Sequence, residues 1–103
     1  MAYNVLVTEK AGEDLDQIVR YLLLNLFNPP AASALLDAVD AVYARLEETP
    51  FLYPLCRQPL LSSMSWRKAV IRGYLMLYKV AEEEKTVYVE RFFSGLEDYE
   101  QKL

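Results

Sequence analysis

Trp66–Val80 reads WRKAVIRGYLMLYKV. Arg67, Lys68 and Arg72 come before Gly73, and an almost unbroken apolar run comes after it. Such a run, bounded by a turn signal, is the pattern of a strand buried within a sheet. The same residues admit a second reading, in which the arginines hold a phosphate beside a catalytic strand. Outward from this stretch, three strands are expected, near residues 66–72, 74–81 and 86–93. Gly73 and Glu82-Glu83-Glu84-Lys85 mark the turns between them. The glutamates repel one another, which favours an exposed turn. Arg72-Gly73 is a poor two-residue hairpin turn, because a primed turn needs a positive φ at its first position as well.

Upstream, residues 3–8 (YNVLVT) read as a strand with both faces partly apolar. Thr8 is placed to cap a helix in which Ala11, Leu15, Ile18 and Leu22 form the apolar stripe, running to about Leu26. Asn28-Pro29-Pro30 stops that helix and starts another: asparagine caps, and proline suits a first turn where no amide partner is needed. The second helix carries a wide apolar stripe of Ala32, Leu35, Leu36, Val39, Val42, Tyr43 and Leu46 and ends near Glu48, before Thr49-Pro50. The short link implies an antiparallel helical hairpin. Residues 50–65 contain three prolines and no helical period, so an ordered loop is expected, anchored by Phe51, Leu52, Tyr53 and Leu55. Leu96, Tyr99 and Leu103 have the spacing of a short C-terminal helix. The expected fold is α+β: one domain over residues 1–103, a helical hairpin on one face of an antiparallel sheet, in the order β-α-α-β-β-β with that short helix last.

Composition narrows the chemistry. The chain has 103 residues, 53% apolar and 25% charged, with one cysteine and no histidine. A Ser-His-Asp triad, a Cys-His pair and a histidine acid–base step are therefore excluded. One cysteine makes neither an internal disulfide nor a structural zinc site, and no cofactor or metal is expected. No segment has the ~20 apolar residues of a membrane span, and no signal-peptide pattern opens the chain. A cytoplasmic protein is the expectation. The net charge of −4 is unevenly distributed. Thr49–Ala81 holds Arg57, Arg67, Lys68, Arg72 and Lys79 and no acid, a local +5 against −9 elsewhere. That is either chance clustering on a solvated sheet edge or a local field for an acidic partner.

Several segments together resemble the RelE/ParE superfamily of toxin–antitoxin toxins. In the first helix, AGEDLDQIVRY resembles the family's Ala-x-x-Asp-Leu-x-x-Ile-x-x-Tyr, at Ala11, Asp14, Leu15, Ile18 and Tyr21. NPPAA resembles the family's link between helices, at Asn28, Pro29, Ala31 and Ala32. LEETP, ending at Pro50, resembles the exit from the second helix. The opening stretch resembles Arg-x-x-x-Val-x-x-Tyr-x-x-x-Tyr, with Arg67, Tyr74 and Tyr78. EDYEQKL resembles the closing segment. The resemblance spans nearly the whole chain and implies a small bacterial toxin neutralised by a cognate antitoxin. One branch, RelE-like, consists of endoribonucleases that cut mRNA on the ribosome; the other, ParE-like and known as plasmid stabilisation proteins, poisons DNA gyrase. Fold alone does not separate them.

Cleavage of RNA by its own 2′-OH needs a base, an acid and cations on the phosphorane-like charge. RelE-like members often place an arginine directly after the tyrosine of the third strand, where this chain has Leu75, and some place a histidine near Ser94. No catalytic residue is therefore assigned. The candidates for contacting a target or a phosphate are Arg57, Arg67, Lys68, Arg72 and Arg91. Arg67 has a structural alternative, an ion pair with a helix acid such as Asp14. Arg91 has one too, a solvated place across the sheet. Tyr21, Tyr43, Tyr74 and Tyr78 sit at core-like spacings, and Cys56 reads as a small loop hydrophobe. Phe92 and Phe93 should split between faces, one in the core and the other under the C-terminal helix or an antitoxin. The leading expectation is a ParE-like toxin that binds and inhibits a target such as DNA gyrase. The alternatives are a RelE-like ribonuclease and a non-toxic relative that only binds its partner.

Overall fold

The computed structural model describes residues 2–95. The expected C-terminal helix, with Leu96, Tyr99 and Leu103, lies outside them. The elements are β1 (Asn4–Val7), α1 (Glu9–Arg20), α2 (Pro29–Glu48), α3 (Pro59–Ser63), β2 (Arg67–Ile71), β3 (Tyr74–Ala81) and β4 (Thr86–Ser94). The helices pack on a four-stranded sheet of order β1-β4-β3-β2. β2, β3 and β4 are antiparallel neighbours as expected, whereas β1 joins β4 in parallel, Val5 opposite Val87 and Val7 opposite Val89. The helical hairpin ends beside the start of β1, where the Tyr3 amide donates to the Glu47 carbonyl at 2.8 Å.

Both helix starts follow from their capping residues. The Thr8 hydroxyl accepts from the Ala11 amide at 3.2 Å and donates to the Val89 carbonyl at 2.9 Å, tying α1 to β4. Asn28 accepts from the Ala31 amide at 3.2 Å, with Pro29 in the first turn of α2. α1 does not run on as an α-helix to Leu26. From Tyr21 to Asn25 it widens into a π-helical turn, which takes Tyr21 out of the apolar stripe, so this tyrosine is exposed rather than core.

The sheet is buried on both faces, and this explains the unbroken run in β3. On the helix side, Leu35, Val39 and Leu46 of α2 pack on Met76, Tyr78, Val87 and Val89. On the other side, Leu75, Leu77 and Phe93 pack on Cys56 and Leu61, with Trp66 against them. The Pro50–Ser65 segment is thus the second cover of the sheet. Its expected anchors Phe51, Leu52 and Leu55 are largely exposed; Pro50, Tyr53, Cys56 and Leu61 hold it instead. It also contains α3, which a five-residue helix with one proline does not betray by period. Gln58 caps α3 by accepting from the Leu61 amide at 2.9 Å.

Tyr78 joins the two covers. Its ring is fully buried, its hydroxyl donates to the Pro50 carbonyl at 3.1 Å and accepts from the Tyr53 amide at 3.3 Å. Phe92 and Phe93 split between the faces as expected. Phe93, however, is covered by the Cys56–Leu61 cluster.

The turn that looked unsuitable is built all the same. Arg72 has φ +50 and Gly73 φ +85, both left-handed, between the paired residues Ile71 and Tyr74. Hairpin twist selects positive φ at both positions; Gly73 takes it freely, and Arg72 takes it with strain.

Candidate functional site

Two regions hold the residues that the sequence nominates. The first lies where β4 loses its neighbour. β1 ends at Val7, opposite Val89. Just beyond, the β3–β4 register shifts: Leu77 faces Arg91 while Tyr78 faces Val89, so Glu90 bulges. From there the outer edge of β4 faces α1. Asp14 fills the gap. One carboxylate oxygen accepts from Arg91 Nε at 2.6 Å and from the Phe92 backbone amide at 3.1 Å; the other accepts from Arg91 at 3.3 Å. The two side chains are 12% and 17% exposed, so this is a two-pronged, largely desolvated ion pair. The Arg91 guanidinium also stacks 4.5 Å above the Phe93 ring. Arg91 is therefore a clamp between β4 and α1, not a solvated arginine. It borders an open cleft of about 670 Å³ with Lys10, Gln17, Tyr74 and Ser94 on the walls.

The expected Arg67–Asp14 pair does not form. α1 lies over β4, while Arg67 opens β2 at the far edge of the sheet. Arg67 instead donates to the Tyr53 carbonyl at 2.7 Å and stacks 4.9 Å from the Phe51 ring centroid. It pins the second cover to the sheet.

The second region is the β2 edge. Ala69 and Ile71 point into the helix-side core. The alternation of a strand then puts Lys68 and Val70 on the other face. Val70 is 65% exposed between Lys68 and Arg72. Arg57 stands beside the start of β2, because the Cys56 amide donates to the Trp66 carbonyl at 2.9 Å and Leu55 bridges Arg67. The side chains of Arg57, Lys68 and Arg72 form no hydrogen bond or ion pair among the described residues, in contrast to those of Arg67 and Arg91. Exposed Leu60 and Met64 of α3 and Leu55 adjoin this side of the molecule. The result is a ridge of free cations with apolar side chains between them. Val70, Leu60 and Met64 were not nominated from the sequence. The period of two along β2 was the available signal for Val70; for α3 there was none.

The geometry offers little for proton transfer. Leu75, at the position where a cutting relative often has arginine, is buried with Cys56 and Leu61 and only 9% exposed. The Tyr78 hydroxyl is held in its neutral form, since burial pushes its pKa up. Tyr43 is pushed up to about 12, by burial first and by Asp40 second. Burial also raises the Cys56 thiol, and nearby Lys68 only partly offsets this; a buried, protonated thiol is a poor nucleophile. No group of three or more acidic, cysteine or histidine side chains that could hold a metal occurs among the described residues. No helix among them is long and apolar enough to cross a membrane.

Comparison with known proteins agrees with the architecture. Two solved structures share the fold. One is the toxin–antitoxin complex RelBE2 from Mycobacterium tuberculosis, 24% identical, with a TM-score of 0.65 over 91% of this chain and 99% of that one. The other is the chromosomal ParDE toxin–antitoxin system from P. aeruginosa, 17% identical, with a TM-score of 0.66 over 90% of this chain and 96% of that one. No curated protein matches the chain. The family model of the ParE toxin of type II toxin–antitoxin systems (parDE) matches residues 5–99, nearly the whole of the chain, and on that match the protein belongs to the ParE toxin family.

Proposed function

We propose that this protein is the toxin of a type II module, that it acts by binding and inhibiting a target such as DNA gyrase, and that a cognate antitoxin neutralises it. The observation that carries the choice of binding over cutting is the burial of Leu75, together with the tethering of Arg67 and Arg91. The cations left free are Arg57, Lys68 and Arg72, on a ridge that also exposes Val70. Such a surface suits an acidic partner with apolar anchors, and none of the residues named on it is a carboxylate, histidine or tyrosine that could move a proton in phosphodiester cleavage. The antitoxin segment that covers it should be acidic, carry apolar anchors and fold on binding. The module works in the cytoplasm, on a single domain of about the length of this chain.

Inducible expression without the antitoxin tests the reading. Growth arrest with gyrase-linked DNA breaks, and loss of supercoiling by purified gyrase, is the expected result. mRNA cut on ribosomes with gyrase untouched would replace it with the ribonuclease reading. Normal growth would leave a relative that only binds its partner.

A further inference from the structure

The longest stretch of the chain without a charged residue runs from Tyr21 to Leu36, and it forms the tip of the helical hairpin. There the Leu26 amide reaches back five residues to the Tyr21 carbonyl at 3.1 Å, closing the π-helical turn. π turns are uncommon and occur frequently at functional sites. This one carries Leu22 into the core and leaves its neighbours outside: Tyr21 is 54% exposed, Leu24 68% and Leu26 52%. Phe27 follows, 81% exposed, with φ +50. A left-handed conformation is strained for a non-glycine residue, and here it holds an aromatic ring in water. Tyr21, Leu23, Leu24, Leu26 and Phe27 together expose on the order of 500 Å² of mostly apolar surface around this tip, a concentration of the kind that marks docking surfaces.

Charge decides what covers it. A partner drawn to the cations of the β2 edge finds no counterpart on this patch. An anionic lipid surface is disfavoured by the net charge of −4, and Arg20 beside the patch is already paired with Asp16 at 3.1 Å. A second copy of the chain presents the same uncharged surface, so no charge is desolvated on contact. We propose that the chain self-associates through the hairpin tip as a weak twofold dimer, with Leu24 and Phe27 meeting their equivalents across the axis. Two such patches bury on the order of 1,000 Å² in total, the size of a weak, concentration-dependent contact rather than an obligate one. The dimer does not depend on the toxin reading, because it uses none of the residues assigned to target binding.

Sedimentation velocity on the full chain tests it, from low micromolar to submillimolar concentration. The weight-average mass should rise with concentration from one chain toward two. A Leu24→Ser/Phe27→Ser variant with an unchanged circular dichroism spectrum should stay monomeric throughout. Independently, Phe27→Cys should form disulfide-linked dimers under mild oxidation, while Val70→Cys, also exposed but off the patch, should not. A wild-type chain that remains monomeric at all concentrations overturns the proposal. So does a serine variant that dimerises as before, or equal cross-linking at the two positions.

Discussion

The two tyrosines with hydroxyls in the interior sit in opposite circumstances, and single substitutions should separate them. The Tyr78 hydroxyl bonds to both Pro50 and Tyr53. Tyr78→Phe leaves a buried amide and a carbonyl without that partner, and should destabilise the fold by about 1–3 kcal/mol in urea unfolding. The Tyr43 hydroxyl is buried with no hydrogen-bond partner among the described residues. Tyr43→Phe removes an unsatisfied group and should leave stability unchanged or raise it by up to about 1 kcal/mol. The pH dependence follows with its sign. The Tyr43 pKa is raised from 10.0 to about 12 in the folded chain. Its contribution is therefore fully present below pH 10 and is lost as pH rises toward 12, because the unfolded chain ionises first. The melting temperature of Tyr43→Phe should accordingly fall less steeply than that of the wild type across this window. At the β4 edge, Asp14→Ala strands a largely buried guanidinium and the Phe92 amide together. A loss of about 3 kcal/mol or more is expected, and in a double-mutant cycle most of it should couple to Arg91.

The β2–β3 hairpin is the element with a local conflict. Arg72 holds φ +50 next to Gly73 at +85, a turn that favours Asn-Gly. Arg72→Asn should therefore stabilise the chain by roughly 0.5–1 kcal/mol. If the same change lowers toxicity, the strain is kept for the arginine's contact rather than for folding. The turn also packs against the end of β4. The Gly95 amide donates to the Gly73 carbonyl at 2.8 Å, and a Cβ on Gly95 would lie 2.2 Å from that oxygen. What was legible beforehand at this scale was what local chemistry encodes. Thr8 and Asn28 start helices because a cap reaches only three residues ahead. What was illegible was set by distance in the chain. The Glu90 bulge lies in the β3–β4 pairing just past the point where β1 runs out at Val7, and the Asp14–Arg91 clamp joins residues 77 apart. No periodicity reports either. α3 was hidden differently, since five residues capped by Gln58 are too few to show a stripe.

At the scale of the whole molecule, the acid-free stretch from Thr49 to Ala81 resolves into two kinds of cation. Arg67 is tethered within it and Arg91 outside it, whereas Arg57, Lys68 and Arg72 are free on one edge. The sequence showed the +5, but only the fold sorts its members, because pairing depends on which strand lies at the edge. Free cations on an otherwise acidic protein act mainly on encounter: they steer an acidic partner and are screened by salt. On the proposed reading, with gyrase as the target, reversing two of them away from the strained turn, Arg57→Glu with Lys68→Glu, should lower the association rate with purified gyrase about tenfold or more at low ionic strength. The difference should shrink as salt is raised, and the dissociation rate should change little. The melting temperature should stay within a few degrees of wild type, since neither side chain makes a hydrogen bond or ion pair among the described residues. Growth arrest on induction should weaken in parallel. Equal loss of binding at low and high salt would mean that these residues contact the partner through packing, and unchanged binding would move the target surface off the β2 edge altogether.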